Sequence, residues 1–467
     1  MATIRLFRHY IPAQLLFLGL IESVIIVFGF TAGVHVRYWQ QSFSTPPFLE
    51  LLPYAILFSV VVILCMIALG LYEKRPREGL NAMGLRVIGS FALSILPLSM
   101  FFYLAPDYSL GRGVITFAMF FSLIGIISMR VVFFEVVDQN VLKRRILVLG
   151  AGKRASQIAD METSPELNGV SVVGYVHMRG EQDSLDEGRV IRLQDQSLKD
   201  LTVDRSIDEM VVAVDDRRKA LPVHEILDCK MDGVDVVDLL TFFERETGKV
   251  KLDIMQPSWM FLSDGFQCNA SRAYTKRLLD IVVSLLLLPL ALPIMIVVAA
   301  AILIESRGRG GCLYHQVRAG EKGIPFTIYK FRSMRVDAES DGQVRWAQKK
   351  DNRVTRVGSI IRKIRADELP QIFNILNGDM SFVGPRPERP EFVSELEKTI
   401  PYYNERHRMK PGLTGWAQIS YQYGASEGDA LEKLQYDLYY IKNYSVFIDL
   451  IIILKTAEVV LVGKGAH

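Results

Sequence analysis

The amino-acid sequence predicts a membrane protein of mixed α and α/β class, with a helical membrane part ahead of two further domains. Half of the 467 residues are hydrophobic while 22% are charged, and the mean hydropathy is positive, so apolar and polar stretches must be segregated along the chain. The apolar residues gather in four early runs and one later run. Between them, short aliphatic strands alternate with helical stretches. The formal net charge is only +3, which gives no support to nucleic-acid binding. Cys65, Cys229, Cys268 and Cys312 form no CxxC pair, which argues against a zinc site and against a dense disulfide framework.

The first part, residues 1–135, is read as a four-helix transmembrane bundle. The runs Ile11–Gly33, Leu51–Leu71, Val87–Ala105 and Val114–Met129 each approach the ~20 residues that cross a bilayer as a helix. The first is too long for a secretory signal and lacks a small-residue cleavage pattern. Arg5 and Arg8 precede it, Lys74, Arg75, Arg77 and Arg86 separate the second run from the third, and Lys143, Arg144 and Arg145 follow the fourth. The other two loops hold only Arg37 and Arg112, so both ends of the bundle are expected in the cytoplasm. Glu22 lies inside the first run. A lone acid there is better explained as sitting near the interface or paired within the bundle than as part of a transport path.

The basic trio leads into "RILVLGAGKRASQIAD", an aliphatic strand, a glycine turn and a helical pattern. This is the βα opening of a Rossmann-like α/β domain, assigned to residues 143–265, with Gly150 and Gly152 at the first two glycine positions and Ala155 at the third. "VSVVGYV", "EMVVAV" and "VDVVDLL" continue it as further strands of a parallel sheet. Gly150 and Gly152 are candidate nucleotide-binding residues, because small residues let the backbone approach a pyrophosphate. No acid at the end of a second strand can be assigned to a ribose, so a regulatory or structural role stands beside that one.

A fifth apolar run, Ile281–Ile304, is also long enough to span. Two observations oppose a simple span. Arg272, Lys276 and Arg277 precede it while Arg307 and Arg309 follow it, so a span would place one basic flank outside. Pro289 and Pro293 interrupt its middle, where proline removes a donor and kinks a helix. A re-entrant helix over about 278–304, entering and leaving the same leaflet, satisfies both and keeps the remainder in the cytoplasm.

Beyond it the chain is polar and rich in arginine. Arg353, Arg356, Arg362, Lys363 and Arg365 run up to the adjacent acids Asp367 and Glu368, a cluster suited to an anionic group; ordinary solvated helix charge is the bland alternative. "DELPQIFNIL" reads as a helix starting near Glu368 with Asp367 close to its N-cap, which would place a carboxylate beside free amides where phosphate also binds. Such a carboxylate acts as a nucleophile or holds a divalent cation. In "GPRP" two prolines fix the backbone around Arg386, either as a plain turn or as a preorganised phosphate clamp. Lys330 and Arg332 in "YKFRSM" are further candidates. The C-terminal "SVFIDLIIILKTAEVVLVGK" carries Asp449, Lys455 and Glu458 and is read as interfacial or core-packing.

"KRLLD", "YHQVRAG", "YKFRSM", "RADELPQIFNILNGDMSFVGPRPE", "KPGLTGWAQ" and "DLYYIKNYS" occur in this order within residues 272–467. In this the chain resembles the bacterial sugar transferases, monotopic polyprenyl-phosphate phosphoglycosyl transferases. Its whole length is similar to their long form, in which four transmembrane helices and a Rossmann-like domain precede a mainly α catalytic domain. "FFERETGKVKLDIMQPSWMFLSDGF" resembles the exopolysaccharide branch associated with the exosortase (PEP-CTERM) system. The resemblance implies that a nucleotide-diphosphate sugar, usually a UDP-sugar, gives its phosphosugar to Asp367, and that polyprenyl (undecaprenyl) phosphate then attacks this intermediate. It implies Mg²⁺ at the carboxylate pair, Glu368 assisting metal placement or proton removal, Arg362 and Arg386 on phosphate oxygens, and Lys330 in the same site. It also implies a place in the bacterial inner membrane with both soluble domains cytoplasmic, and it allows a homodimer. Relatives carry a serine-proline break in the re-entrant helix; here Ser284 and Pro289 are separated, with Pro289 the better hinge. The competing expectation is an inactive membrane scaffold or nucleotide-sensing regulator. A transporter fails for want of intramembrane polar residues.

Overall fold

The computed structural model of the chain describes residues 3–6, 9–72, 80–104, 112–138, 143–162, 164, 167, 169–193, 196–216, 221–255, 257–263, 265–266, 270–335, 353–421, 424 and 426–462. Arg8, Lys74, Arg75, Arg77 and Cys268, used above, lie outside these residues. The chain forms two compact units: Met1–Leu6 with Tyr10–Ile254, and Phe7–His9 with Met255–His467.

After two short paired strands at Thr3–Leu6 and His9–Pro12, the first unit continues with helices α1 (Ala13–Gln40), α2 (Phe48–Ala68), α3 (Leu80–Leu104) and α4 (Arg112–Asp138). Each contains a stretch of at least 21 residues long and apolar enough to cross a membrane, or about 31 Å at the α-helical rise. Ile26, Phe30, Val34, Phe58, Val62, Phe91 and Ile126 share one buried core. Phe17, Phe28, Leu96 and Phe120 stay exposed, a surface suited to lipid rather than water. Helices α1 and α4 make the closest approach, through small residues. A Cβ on Gly29 would lie 2.7 Å from the Ser122 nitrogen, and one on Gly33 2.4 Å from the Ala118 nitrogen. Gly33→Leu should therefore push α1 and α4 apart and destabilise the protein by on the order of 2–3 kcal/mol. Unfolding of the full chain in micelles checks this, and an unchanged midpoint would contradict it. Glu22 is fully buried and paired: Arg130 Nε lies 2.6 Å from its Oε1, and Tyr72 donates its hydroxyl to the same carboxylate. It is a structural charge of the helix core.

The rest of this unit is a five-stranded parallel sheet of β1 (Arg144–Leu149), β2 (Val170–Val176), β3 (Val190–Ile191), β4 (Glu209–Val212) and β5 (Asp235–Asp238), in the order β3-β2-β1-β4-β5. Alternate residues of β1 feed two cores, as the period of two demands. Ile146 and Val148 join Ala155, Phe242 and Phe243 on one face, while Leu147 and Leu149 join Leu198, Met210 and Cys229 on the other. Strand order reverses between β1 and β4, the Rossmann-like arrangement expected from the strand spacing. Helix α5 (Lys153–Met161) follows the glycine turn.

In the second unit a 36-residue helix, α6 (Ala270–Glu305), runs on through Pro289 and Pro293. The sequence suggests a helix-break-helix there, with Ser284 and Pro289 as its hinge; in the structure the helix continues through both positions. Ser284 is buried and Pro289 exposed. The hairpin β6 (Leu313–Ala319) and β7 (Pro325–Phe331) follows, then α7 (Arg356–Lys363) and α8 (Gln371–Asn377). Strand β8 (Ser381–Val383) pairs in parallel with β9 (Gly412–Thr414), and helices α9 (Glu427–Asn443) and α10 (Val446–Val462) close the unit.

Both halves of α6 rest on this unit. In its first half, Arg277 donates to the carbonyls of Ile375 (2.5 Å) and Leu376 (2.6 Å) at the end of α8. Lys276 lies 2.9 Å from Asp449 of α10, and Asp280 accepts from the Ser381 hydroxyl and the Phe382 amide. Asp449 thus makes α10 a core-packing helix at that point, with Ile448 and Ile452 fully buried. In the second half, Ala291, Met295, Val298 and Ile302 join Phe331, Ile361 and Ile372 in one core. Glu305 then accepts from the Arg356 and Val357 amides at the start of α7.

Candidate active site

Three elements converge on the acidic pair. Strand β7 carries Lys330, the connection between α7 and α8 carries Asp367 and Glu368, and the loop after β8 carries Arg386. Thr355 caps α7 by accepting from the Gly358 amide at 2.9 Å. The chain then turns sharply at Arg365, whose φ of 54° lies in the left-handed region, into a 3₁₀ turn at Ala366–Glu368. The sequence suggests a helix from Glu368 with Asp367 near its cap. The α-helix instead starts at Gln371 and has only 7 residues, and neither Arg365 nor Pro370 makes a side-chain cap. The cause is Pro370: it cannot donate to Ala366, so Leu369 N bonds Ala366 O and Ile372 N bonds Leu369 O in tighter turns. Asp367 is therefore not spent on capping. Side-chain cations rather than a long helix dipole set the field here.

The two acids live differently. Glu368 receives Arg386 Nη2 at 2.8 Å and Lys330 Nζ at 3.4 Å on Oε1, while Arg365 Nη1 lies 3.9 Å from Oε2. Burial would raise its pKa, but Arg386, Lys330 and Arg365 outweigh that and hold the carboxyl at about 2. Asp367 has no hydrogen bond or ion pair among the described residues. Burial and the neighbouring Glu368 charge push it up to about 6 against the opposing pull of Lys330, Arg362 and Arg386. Burial depresses the Lys330 ammonium, and Glu368 offsets part of that.

The Arg386 loop is built to hold its shape. Arg386 Nη1 donates to Gln418 at 3.0 Å, and buried Arg406, itself 2.9 Å from Asp437, donates to the Arg386 carbonyl at 3.1 Å. Arg318, Lys330, Glu368, Gln371, Arg386 and Pro387 line a small cleft open to solvent beside the acidic pair. Arg318 is anchored by Gln316 and the Pro387 carbonyl. The amide nitrogen of Gln371, on a residue only 2% exposed, has no hydrogen-bond partner among the described residues.

Of the candidates read from sequence, Asp367, Glu368, Lys330 and Arg386 come together, with Arg362 close enough for its charge to favour ionised Asp367. Arg332 turns elsewhere, donating to the Arg309 carbonyl at 3.0 Å. Arg318, Gln371, Gln418 and Arg406 were not singled out. Arg318 and Gln418 sit inside quoted motifs, "YHQVRAG" and "KPGLTGWAQ", and Gln371 directly follows "DELP". In the first unit, Gly150 adopts a φ of +122°, and a Cβ there would lie 2.9 Å from the Ala213 carbonyl oxygen. Among the described residues no group of three or more His, Cys, Asp and Glu side chains could hold a metal ion.

Residues 271–463 match the family model described as bacterial sugar transferase. The chain is 41% identical over 239 residues to the UDP-N-acetylgalactosamine-undecaprenyl-phosphate N-acetylgalactosaminephosphotransferase of Aeromonas hydrophila, covering 51% of this chain and 55% of that protein. It is 43% identical over 203 residues to the UDP-glucose:undecaprenyl-phosphate glucose-1-phosphate transferase of Klebsiella pneumoniae, 43% of each chain. It is 41% identical over 194 residues to the protein of the same description in Caulobacter vibrioides, 41% of this chain and 72% of that one. The match thus spans about half the length of the first two relatives. The chain belongs to the bacterial sugar transferase family.

Proposed function

We propose that this protein transfers a sugar-1-phosphate from a UDP-sugar to undecaprenyl phosphate through a phosphosugar carried on Asp367, initiating exopolysaccharide or related glycan assembly. The observation that carries this reading is the asymmetry of the acidic pair: one carboxylate is tied down by three cations, and its neighbour, half-buried beside the same cations, has no ion pair among the described residues. Relatives named for UDP-sugars and undecaprenyl phosphate support the substrate class.

A carboxylate oxygen of Asp367 attacks the phosphorus that bears the sugar. The bond to the second phosphate breaks, and the nucleoside monophosphate leaves with the electron pair. An undecaprenyl phosphate oxygen then attacks the same phosphorus and frees the carboxylate. Arg386, Lys330 and Arg362 oppose the charge that builds on the phosphoryl oxygens. Glu368, held at about 2, is a poor general base. A phosphate monoester is largely ionised at neutral pH and needs none, so Glu368 serves to position Arg386 and Lys330. Mg²⁺ fits the pair in the mode where one or two carboxylates and substrate phosphates supply the ligands, with Asp367 the more open, since Oε1 of Glu368 is already engaged. Bound there, it would neutralise phosphate charge.

Two features of α6 support the re-entrant reading. A straight helix of 36 residues would be about 54 Å long, well beyond the ~30 Å hydrocarbon core. Yet Arg277 near one end and Glu305 at the other both bond the catalytic unit. On this reading α6, bent at its prolines, dips into one leaflet and turns the exposed Leu285, Leu286, Leu290, Ile294 and Ile296 to lipid. It holds the site at the cytoplasmic face of the inner membrane, where soluble donor and lipid phosphate meet.

The test is UMP release from a panel of UDP-sugars by protein in nanodiscs with undecaprenyl phosphate and Mg²⁺. Metal- and lipid-dependent UMP from one donor supports the transferase, whereas folded protein inactive with every UDP-sugar would overturn this assignment. Because Asp367 attacks when ionised, and burial with the Glu368 charge raises it to about 6 while bound Mg²⁺ would lower it, the rate of the first UMP release should rise with pH to a plateau whose midpoint lies at or below about 6. A rate that falls as pH rises from about 5 to about 8 would contradict the assignment.

A further inference from the structure

We propose that the glycine turn of the Rossmann-like domain is closed to phosphate by the chain's own carboxylates, so that this domain takes no dinucleotide at its βα turn. The topology is right for a pyrophosphate. Strand β1 ends at Leu149, the turn Gly150-Ala151-Gly152 follows, α5 begins at Lys153, and strand order reverses between β1 and β4.

The anion position is already taken. Asp215, just beyond β4 across the switch point, accepts from the Lys153 amide at 3.1 Å on Oδ2 and from the Arg154 amide at 2.9 Å on Oδ1. These are the free amides at the start of α5 that a phosphate would use. Gly152 makes the room: a Cβ there would lie 2.2 Å from Asp215 Oδ2. The small residue that sequence reasoning assigns to a nucleotide thus admits a carboxylate of the same chain. Glu181 completes the closure, accepting from the Ala151 amide at 3.2 Å on Oε2 and from the Asp215 amide at 2.5 Å on Oε1. The Ser184 amide bonds the Ala151 carbonyl at 2.8 Å and ties the Glu181 segment to the turn. An incoming pyrophosphate would have to displace two carboxylates and meet their negative charge. The ribose position is changed as well. The residue after β2 is His177, whose Nδ1 lies 2.7 Å from Asp183, where a dinucleotide site has a free acid.

Hydrogen exchange of the full-length protein in nanodiscs, followed by mass spectrometry on the peptide covering residues 150–156, tests this locally, whatever binds at the catalytic unit. With wild type, millimolar NAD⁺, ADP or inorganic pyrophosphate should leave that peptide's exchange unchanged. In Asp215→Asn with Glu181→Gln the same amides should exchange roughly five- to tenfold faster, and pyrophosphate should now slow them. UMP release should stay at the wild-type level. Ligand-induced protection of the wild-type turn would overturn the proposal, as would a double variant whose turn exchanges like wild type. Asp215→Asn alone, which keeps one acceptor, serves if the double variant unfolds, with an intermediate rate expected and a wild-type rate counting against the proposal.

Discussion

Asp367→Asn should lower the first UMP release by at least about 10³-fold while raising the stability of the protein. The loss follows because the amide oxygen is no nucleophile and the variant forms no acyl phosphate. The gain follows from the sign of the pKa shift. The folded carboxyl titrates at about 6, above its ordinary 3.8, so ionisation is penalised in the folded state. That penalty is absent below the unfolded pKa, grows as pH rises from there to about 6, and is fully present at neutral pH. Asparagine removes it, for a gain on the order of 1–2 kcal/mol at pH 7, shrinking as pH falls toward 4. Thermal melts of wild type and variant at the two pH values check this. A variant that is inactive and less stable at pH 7 would mean that the carboxylate is a structural group.

Removal of Arg386 should act in the opposite sense on stability. Glu368 would lose its 2.8 Å partner and keep Lys330 at 3.4 Å, leaving an under-compensated carboxylate in a largely buried position. Because Arg386 is itself about a third exposed, the cost is discounted to about 1–3 kcal/mol for Arg386→Ala. Activity should fall by roughly 10²–10⁴-fold, since the variant loses a phosphate clamp and frees Lys330 and Glu368 to rearrange. Arg386→Lys separates the two effects. It restores charge but not the two-pronged contact with Glu368 and Gln418, so stability should recover more than kcat/KM. Equal recovery of both would mean that charge alone matters at this position.

Where the pattern was local, the sequence was a sound guide. Four apolar runs became α1 to α4, and the spacing of aliphatic runs around a glycine turn became a parallel sheet with a Rossmann-like strand order. Lys330, Glu368 and Arg386 come from three separate segments and meet in the fold; they are legible beforehand because each lies in a motif whose residue types suit phosphate. What stayed hidden depended on tertiary pairing. Nothing local to Glu22 names Arg130, 108 positions away, as its partner. Nothing local to Gly152 says that Asp215 will fill the space it leaves. Sequence alone places the start of α8 too early, because Pro370 suits a first helical turn, whereas its missing donor leaves successive tight turns before Gln371. Arg332 shares the strand parity of Lys330, but the Arg309 carbonyl draws its guanidinium away from the acids.

The central claim is a phosphosugar bonded to Asp367. The measurement that tests it most directly is intact-mass and peptide analysis of protein incubated with its UDP-sugar and Mg²⁺ in the absence of undecaprenyl phosphate. The predicted result is one UMP released per active site, with a hexose-phosphate-sized adduct on the peptide containing Asp367, discharged when undecaprenyl phosphate is added. UMP release only when both substrates are present, with no adduct at any time, would contradict it and point to direct transfer between the two phosphates.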